Sequence, residues 1–144
     1  MKIIPLCCLA TATLTAVALV WPAAAADKPA APSSTVILKT TTTGDGMPLV
    51  YPDGTPQILS RITVFPPHSE TSVHRHPVPL YAYILEGQLT ITTEGQPPRH
   101  YQTGDAFMET AGWHFGRNDG DTPTRLLAVY MGNVDLPLSE TKKP

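Results

Sequence analysis

The sequence predicts an all-β domain, and three observations carry that prediction. Short apolar runs follow one another closely, each bounded by Gly, Pro, Asn or Asp. Gln88–Thr93 alternates apolar Leu89 and Ile91 with polar Gln88, Thr90 and Thr92, the period of a half-buried strand. Beyond the N-terminal segment no window sustains a helical period, and the chain's 16 prolines and 10 glycines interrupt the candidates. Such a pattern means a sandwich, a jelly roll or a small barrel, among which periodicity alone does not choose.

Each element has its own signal. Val36–Lys39 reads as a first strand that the β-branched Thr40–Thr43 extends and Gly44-Asp45-Gly46 breaks. Pro52-Asp53-Gly54-Thr55 is a turn. Ile58–Phe65 is β-rich and stops at Pro66-Pro67. Thr71–Arg75 and Leu80–Leu85 follow, the latter closed by Glu86-Gly87. Gln88–Thr93, Arg99–Gln102, Ala106–Glu109 and His114–Arg117 come next, separated by Gly- and Pro-containing turns. Thr124–Met131 is the most apolar strand of the mature chain, and Leu136–Pro144 is expected to fray.

The 144-residue length favours one domain. Its N-terminus reads as an export signal: Met1-Lys2, an apolar stretch from Ile3 to Val20, and an Ala-x-Ala site at Ala24–Ala26. The expected organisation is a signal peptide over 1–26, a disordered Pro/Ala/Ser leader over 27–35, the β domain over 36–135 and a C-terminal tail over 136–144. The protein is then periplasmic or secreted, with no membrane span after cleavage. Cys7 and Cys8 leave with the signal. The mature domain must then rest on its core alone, or on its core and a metal. The arginines are scattered and form no basic stripe, which argues against a nucleic-acid partner.

His74 and His76 stand two residues apart. On a strand such residues share a face, so both imidazoles can aim at one point, as a divalent metal requires. His114 is a third candidate, one hairpin-rich segment further on.

Met47–Met131 resembles the cupin family of jelly-roll β-barrels (double-stranded β-helices). The family's first motif, Gly-x5-His-x-His-x3-Glu-x6-Gly, reads here His68-x5-His74-x-His76-x3-Leu80-x6-Gly87. The second, Gly-x5-Pro-x-Gly-x2-His-x3-Asn, reads Gly104-x5-Thr110-x-Gly112-x-His114-x3-Asn118. The resemblance implies a metal held by His74, His76 and His114; the ion could be iron, zinc, manganese, copper or nickel. It also implies a homodimer and a small-molecule ligand.

The departures carry chemistry. His68 stands where the motif has Gly, so that turn must tolerate strain or be built differently. Thr110 replaces Pro, and one residue is missing between Gly112 and His114. Leu80 replaces the glutamate ligand. A divalent ion on three neutral imidazoles keeps its full charge, which favours an anionic or chelating molecule. Glu109 could restore a carboxylate, as fourth ligand or as general base, and is the candidate catalytic residue. Arg61, Arg99 and Arg117 could each orient an anion. Tyr81 and Tyr83 alternate away from inward Leu80, Ala82 and Ile84. Trp113 and Phe115 are expected to wall the pocket or seal the barrel, and His68 and His100 to lie on the surface.

Three functions fit: a metal-dependent oxygenase, isomerase or lyase; a non-catalytic barrel binding a small ligand, with a degenerate metal site; and an accessory protein without site chemistry. The fold hosts all three and does not decide.

Overall fold

The computed structural model describes residues 31–143. The expected signal peptide with its cleavage site, both cysteines and the start of the expected leader lie outside these residues. The chain divides into two units, Met1–Ser33 and Ser34–Pro144, and the second holds every strand described here.

Among the described residues nine strands run in order: β1 (Pro56–Phe65), β2 (His74–Arg75), β3 (Leu80–Glu86), β4 (Gln88–Thr93), β5 (Arg99–Gln102), β6 (Ala106–Met108), β7 (His114–Arg117), β8 (Thr124–Asn133) and β9 (Glu140–Thr141). They form two antiparallel sheets, ordered β1-β8-β3-β6 and β5-β4-β7-β2-β9. No helix among the described residues is long and apolar enough to cross a membrane.

The main core is filled from both sheets. Phe65, Ala82, Ile84, Phe107 and Leu126 from one meet Leu89 and Ile91 from the other. Alternation is clearest on β3, where Leu80, Ala82 and Ile84 are buried and Tyr81 and Tyr83 half-buried. A smaller cluster of Val78, Leu80, Ala128 and Tyr130, with Leu138 against it, packs beside the histidines. On β1, Ile58, Ile62 and Val64 are exposed.

Two local conformations explain sequence choices. Gly87 has φ 84°, and a Cβ there would stand 2.6 Å from Thr124 Oγ1, so the turn into β4 requires glycine. His68 has φ 57°. The turn therefore keeps the left-handed backbone that glycine would supply and tolerates the strain.

The structure corrects two expectations. Val36–Thr43 is not a strand: Val36 and Ile37 are exposed with nothing to pack against, and the segment makes one isolated bridge, Thr42 to Pro48. It leads instead into a turn whose Asp45 carboxylate accepts hydrogen bonds from the Thr43 hydroxyl and from the Ala111 and Gly112 amides. Burial works against the Asp45 charge, but these donors outweigh it and hold the carboxyl well below the usual range. The second correction concerns Leu136–Pro144, which does not fray over its described part. β9 pairs with β2, Lys142 N donates to Val73 O, and Arg75 and Lys142 pair with Glu140 and Glu94.

Candidate metal centre

Neighbouring strands of one sheet, β2 and β7, bring the three sequence-predicted histidines together. His74 and His114 are directly opposite in the β2–β7 register, and His76 follows two residues after His74. Ring centroids lie 4.4 Å apart for His74 and His114, 4.9 Å for His74 and His76, and 5.3 Å for His76 and His114. One ligand nitrogen from each ring can be chosen so that all three lie within 4.8 Å of one another.

Their tautomers follow from their partners. His74 Nδ1 is 2.8 Å from Ser72 O, His76 Nδ1 2.8 Å from Leu138 O, and His114 Nδ1 2.8 Å from Gly112 O. A carbonyl oxygen only accepts, so each Nδ1 carries the proton and each Nε2 keeps a free lone pair. This is how metal-binding imidazoles are usually oriented by their outer partners. Burial pushes all three below the ordinary histidine value, His76 to about 4. The rings are therefore neutral at pH 7, as ligands must be. The donor set fits a transition metal, and the three histidines could hold one.

Glu109, the candidate catalytic residue, is buried beside them with Oε1 3.6 Å from His114 Nε2. That is too long for a hydrogen bond. Burial raises the Glu109 carboxyl to about 7, while His114 is pushed down. The contact is thus not an ion pair between two fully charged groups. Thr110 N donates to Glu109 Oε1 at 3.2 Å. Proline at the motif position would have no N–H to give, so Thr110 has a structural reason to stand there.

The three histidines and Glu109 line a cavity of about 70 Å³ whose apolar wall includes Phe65, Leu80, Leu89 and Leu126. Arg61 lines it too. The other two candidate arginines have partners of their own: Arg117 pairs with Asp119, and Arg99 donates to Gln96. Trp113 lies under the Arg75 guanidinium, 4.8 Å from ring centre to Cζ, and neither it nor Phe115 lines this cavity. The pocket-wall half of that expectation is corrected: β7 turns His114 and Gly116 inward, and therefore turns Trp113 and Phe115 away. His68 bonds to Asp121 and His100 to Thr90 on the surface, as the sequence suggests.

Sequence reasoning missed Tyr130, which is buried with its ring centroid 5.5 Å from that of His76. It also missed the Leu138 carbonyl. Neither belongs to a motif, although the inward parity of Leu126, Ala128 and Tyr130 on β8 could have marked the tyrosine.

Residues 61–130 match the family model described as a cupin domain. The fold is a cupin jelly roll. Several solved structures resemble it. DMSP lyase DddQ from Ruegeria pomeroyi is 23% identical with a TM-score of 0.52, over 60% of this chain and 44% of that one. Oxalate decarboxylase from Lactobacillus farciminis, in a formate complex, is 20% identical with a TM-score of 0.51, over 58% of this chain and 26% of that one. Oxalate decarboxylase from Bacillus subtilis is 22% identical with a TM-score of 0.50, over 58% of this chain and 23% of that one. The chain thus spans less than half the length of each, and at these identities the likeness shows the cupin fold alone. No curated protein matches the sequence.

Proposed function

We propose that this cupin domain binds one divalent transition metal through His74, His76 and His114 and acts on a small anionic or chelating molecule. One observation carries the reading: every Nδ1 of the triad faces a backbone carbonyl, so three neutral Nε2 lone pairs are left for one ion. When bound, the ion would supply Lewis-acid activation and charge neutralisation.

The chain's own groups supply the rest. Glu109 is placed to hold or pass a proton at its Oε1, since a carboxyl held near 7 can do both at neutral pH. The Thr110 amide keeps that oxygen in place. The apolar wall lowers the local dielectric and so strengthens charge interactions beside it. Lyases and decarboxylases among the similar structures are in keeping with such chemistry. A barrel that only binds its ligand is the second reading. Leu80, in place of the family's carboxylate ligand, is the observation that favours it.

The protein is further proposed to be exported, with residues 1–26 as signal and 27–35 as leader, and to pair as a homodimer. The exposed Ile58, Ile62 and Val64 of β1 support the pairing.

Elemental analysis of the protein purified without a histidine tag tests the metal reading. Near one equivalent of a transition metal is expected. No metal, even after incubation with iron, zinc, manganese, copper and nickel, would overturn it in favour of a metal-free barrel.

A further inference from the structure

Arg61 is set apart from the other arginines by what it lacks. Among the described residues, Arg75, Arg117 and Arg125 each have a carboxylate within ion-pair distance, and Arg99 is engaged by Gln96. Arg61 has no carboxylate partner, yet it lines the cavity of the histidine triad. Its β1 parity explains the placement: Arg61, Thr63 and Phe65 line the cavity, Arg61 at its solvent-exposed edge, while Ile62 and Val64 point out.

The guanidinium is held where it stands. Arg61 Nη2 donates to the Tyr130 hydroxyl, and its Cζ lies 5.0 Å from the Tyr130 ring centre. Tyr130 is itself buried, next to His76. One aromatic ring therefore touches both the cation and the triad and fixes the position of the cation. A guanidinium has five N–H donors in a planar fork. One goes to Tyr130, and the fork is otherwise free to grip two oxygens of one anion.

The charges point the same way. A divalent ion on three neutral imidazoles, together with the guanidinium, would leave the cavity strongly positive, with Glu109 as the one acid lining it. Size limits what can neutralise it. At about 10–15 Å³ per water, the cavity of about 70 Å³ holds roughly five to seven waters, or a molecule of about half a dozen non-hydrogen atoms.

We propose that Arg61, fixed by Tyr130, is the recognition residue for the carboxylate of a small organic acid of two to four carbons. The acid's other polar end would lie at His74, His76 and His114. The inference rests on the metal reading for that second end alone; the carboxylate grip belongs to Arg61. The planar fork favours a planar carboxylate over tetrahedral phosphate of similar size.

The test is calorimetric titration of the zinc-incubated protein with acetate, glycolate, pyruvate and malonate, and with neutral glycolamide and inorganic phosphate. Zinc content is measured on the same samples. At least one acid is expected to bind, with glycolamide at least tenfold weaker than glycolate. Arg61→Gln should weaken acid binding at least tenfold at unchanged zinc content. Arg61→Lys keeps the charge but not the fork, and should fall between the two. It also carries the test if Arg61→Gln folds poorly. Unchanged affinity in a zinc-replete Arg61→Gln protein, binding of no acid by wild type, or phosphate binding tighter than every acid would each overturn the assignment. If wild type holds no zinc, the metal reading fails separately. Acid binding by that protein, lost in Arg61→Gln, would still support the grip.

Discussion

Glu109 donates its backbone N–H to the carbonyl of Leu80 at 2.8 Å, so the two residues lie side by side on neighbouring segments of one sheet. The position from which cupins usually offer a glutamate to the metal is leucine. One strand away, the chain places a buried carboxyl beside His114. At 3.6 Å from His114 Nε2, a proposed ligand nitrogen, this carboxyl fits the proposed role of proton carrier better than that of a ligand. Glu109→Gln should therefore keep its metal, within a fewfold of wild-type affinity in competition with a chelator. Loss of the metal in that variant would make Glu109 a ligand and remove it from the proton-carrying role.

His76→Ala removes one of three ligands and should abolish stable metal binding. A ligand present at a hundred times its Kd stabilises the fold by about 2.7 kcal/mol. Wild type should therefore melt several degrees higher with metal than without, and His76→Ala at the same temperature in both. An equal metal-induced rise in Tm in the two proteins would remove His76 from the site.

The contribution of the three histidines to the stability of the metal-free protein should fall as the pH drops below 6.5. Burial lowers His76 from 6.5 to about 4 and lowers His74 and His114 in the same sense. In that window the unfolded chain takes up protons that the fold refuses, so stability is lost toward acid. For His76 alone the whole window is worth about 3 kcal/mol, at about 1.4 kcal/mol per pH unit.

Glu109 has the opposite sign. Burial raises it from 4.5 to about 7, so its contribution is full below 4.5 and is lost as the pH rises through 7. Glu109→Gln should then gain on wild type at pH 8 relative to pH 4.5, by about 3 kcal/mol as an upper figure. Urea unfolding of both metal-free proteins at pH 4.5, 6 and 8 measures this. A constant difference between them would show that Glu109 is not held neutral by the fold.

Much of this was legible in the residues themselves. Strand β4 follows from the alternation of its sequence, and β3, β5 and β7 follow from their Gly- or Pro-marked ends. The histidine triad follows from the i, i+2 spacing of His74 on β2 and His76 just beyond it, and from motif order. Val36–Thr43 misled because β-branched residues favour strands only when something covers them, and here Val36 and Ile37 are left exposed. Arg61 could not be chosen over Arg99 and Arg117 by sequence. What sets it apart is the absence of a counter-ion among the described residues, which depends on tertiary neighbours. The tail misled for the same reason: its two prolines and polar residues give no sign that β2 has an open edge for β9 to fill.

That tail should matter to the metal more than its distance in sequence from the histidine motifs suggests. Leu138 O fixes the His76 tautomer, and β9 pairs with β2 opposite His74. Outer partners of this kind are typically worth about 10–100-fold in metal affinity. Truncation after Leu136 should weaken metal binding by about that factor while the main core, drawn from β1, β3, β4, β6 and β8, stays folded. Leu138→Ala keeps the backbone carbonyl and should cost packing stability with little change in affinity. Chelator competition, with circular dichroism as the check on folding, separates the two effects. Equal affinities in the truncated and full-length proteins would mean that His76 is oriented without the tail.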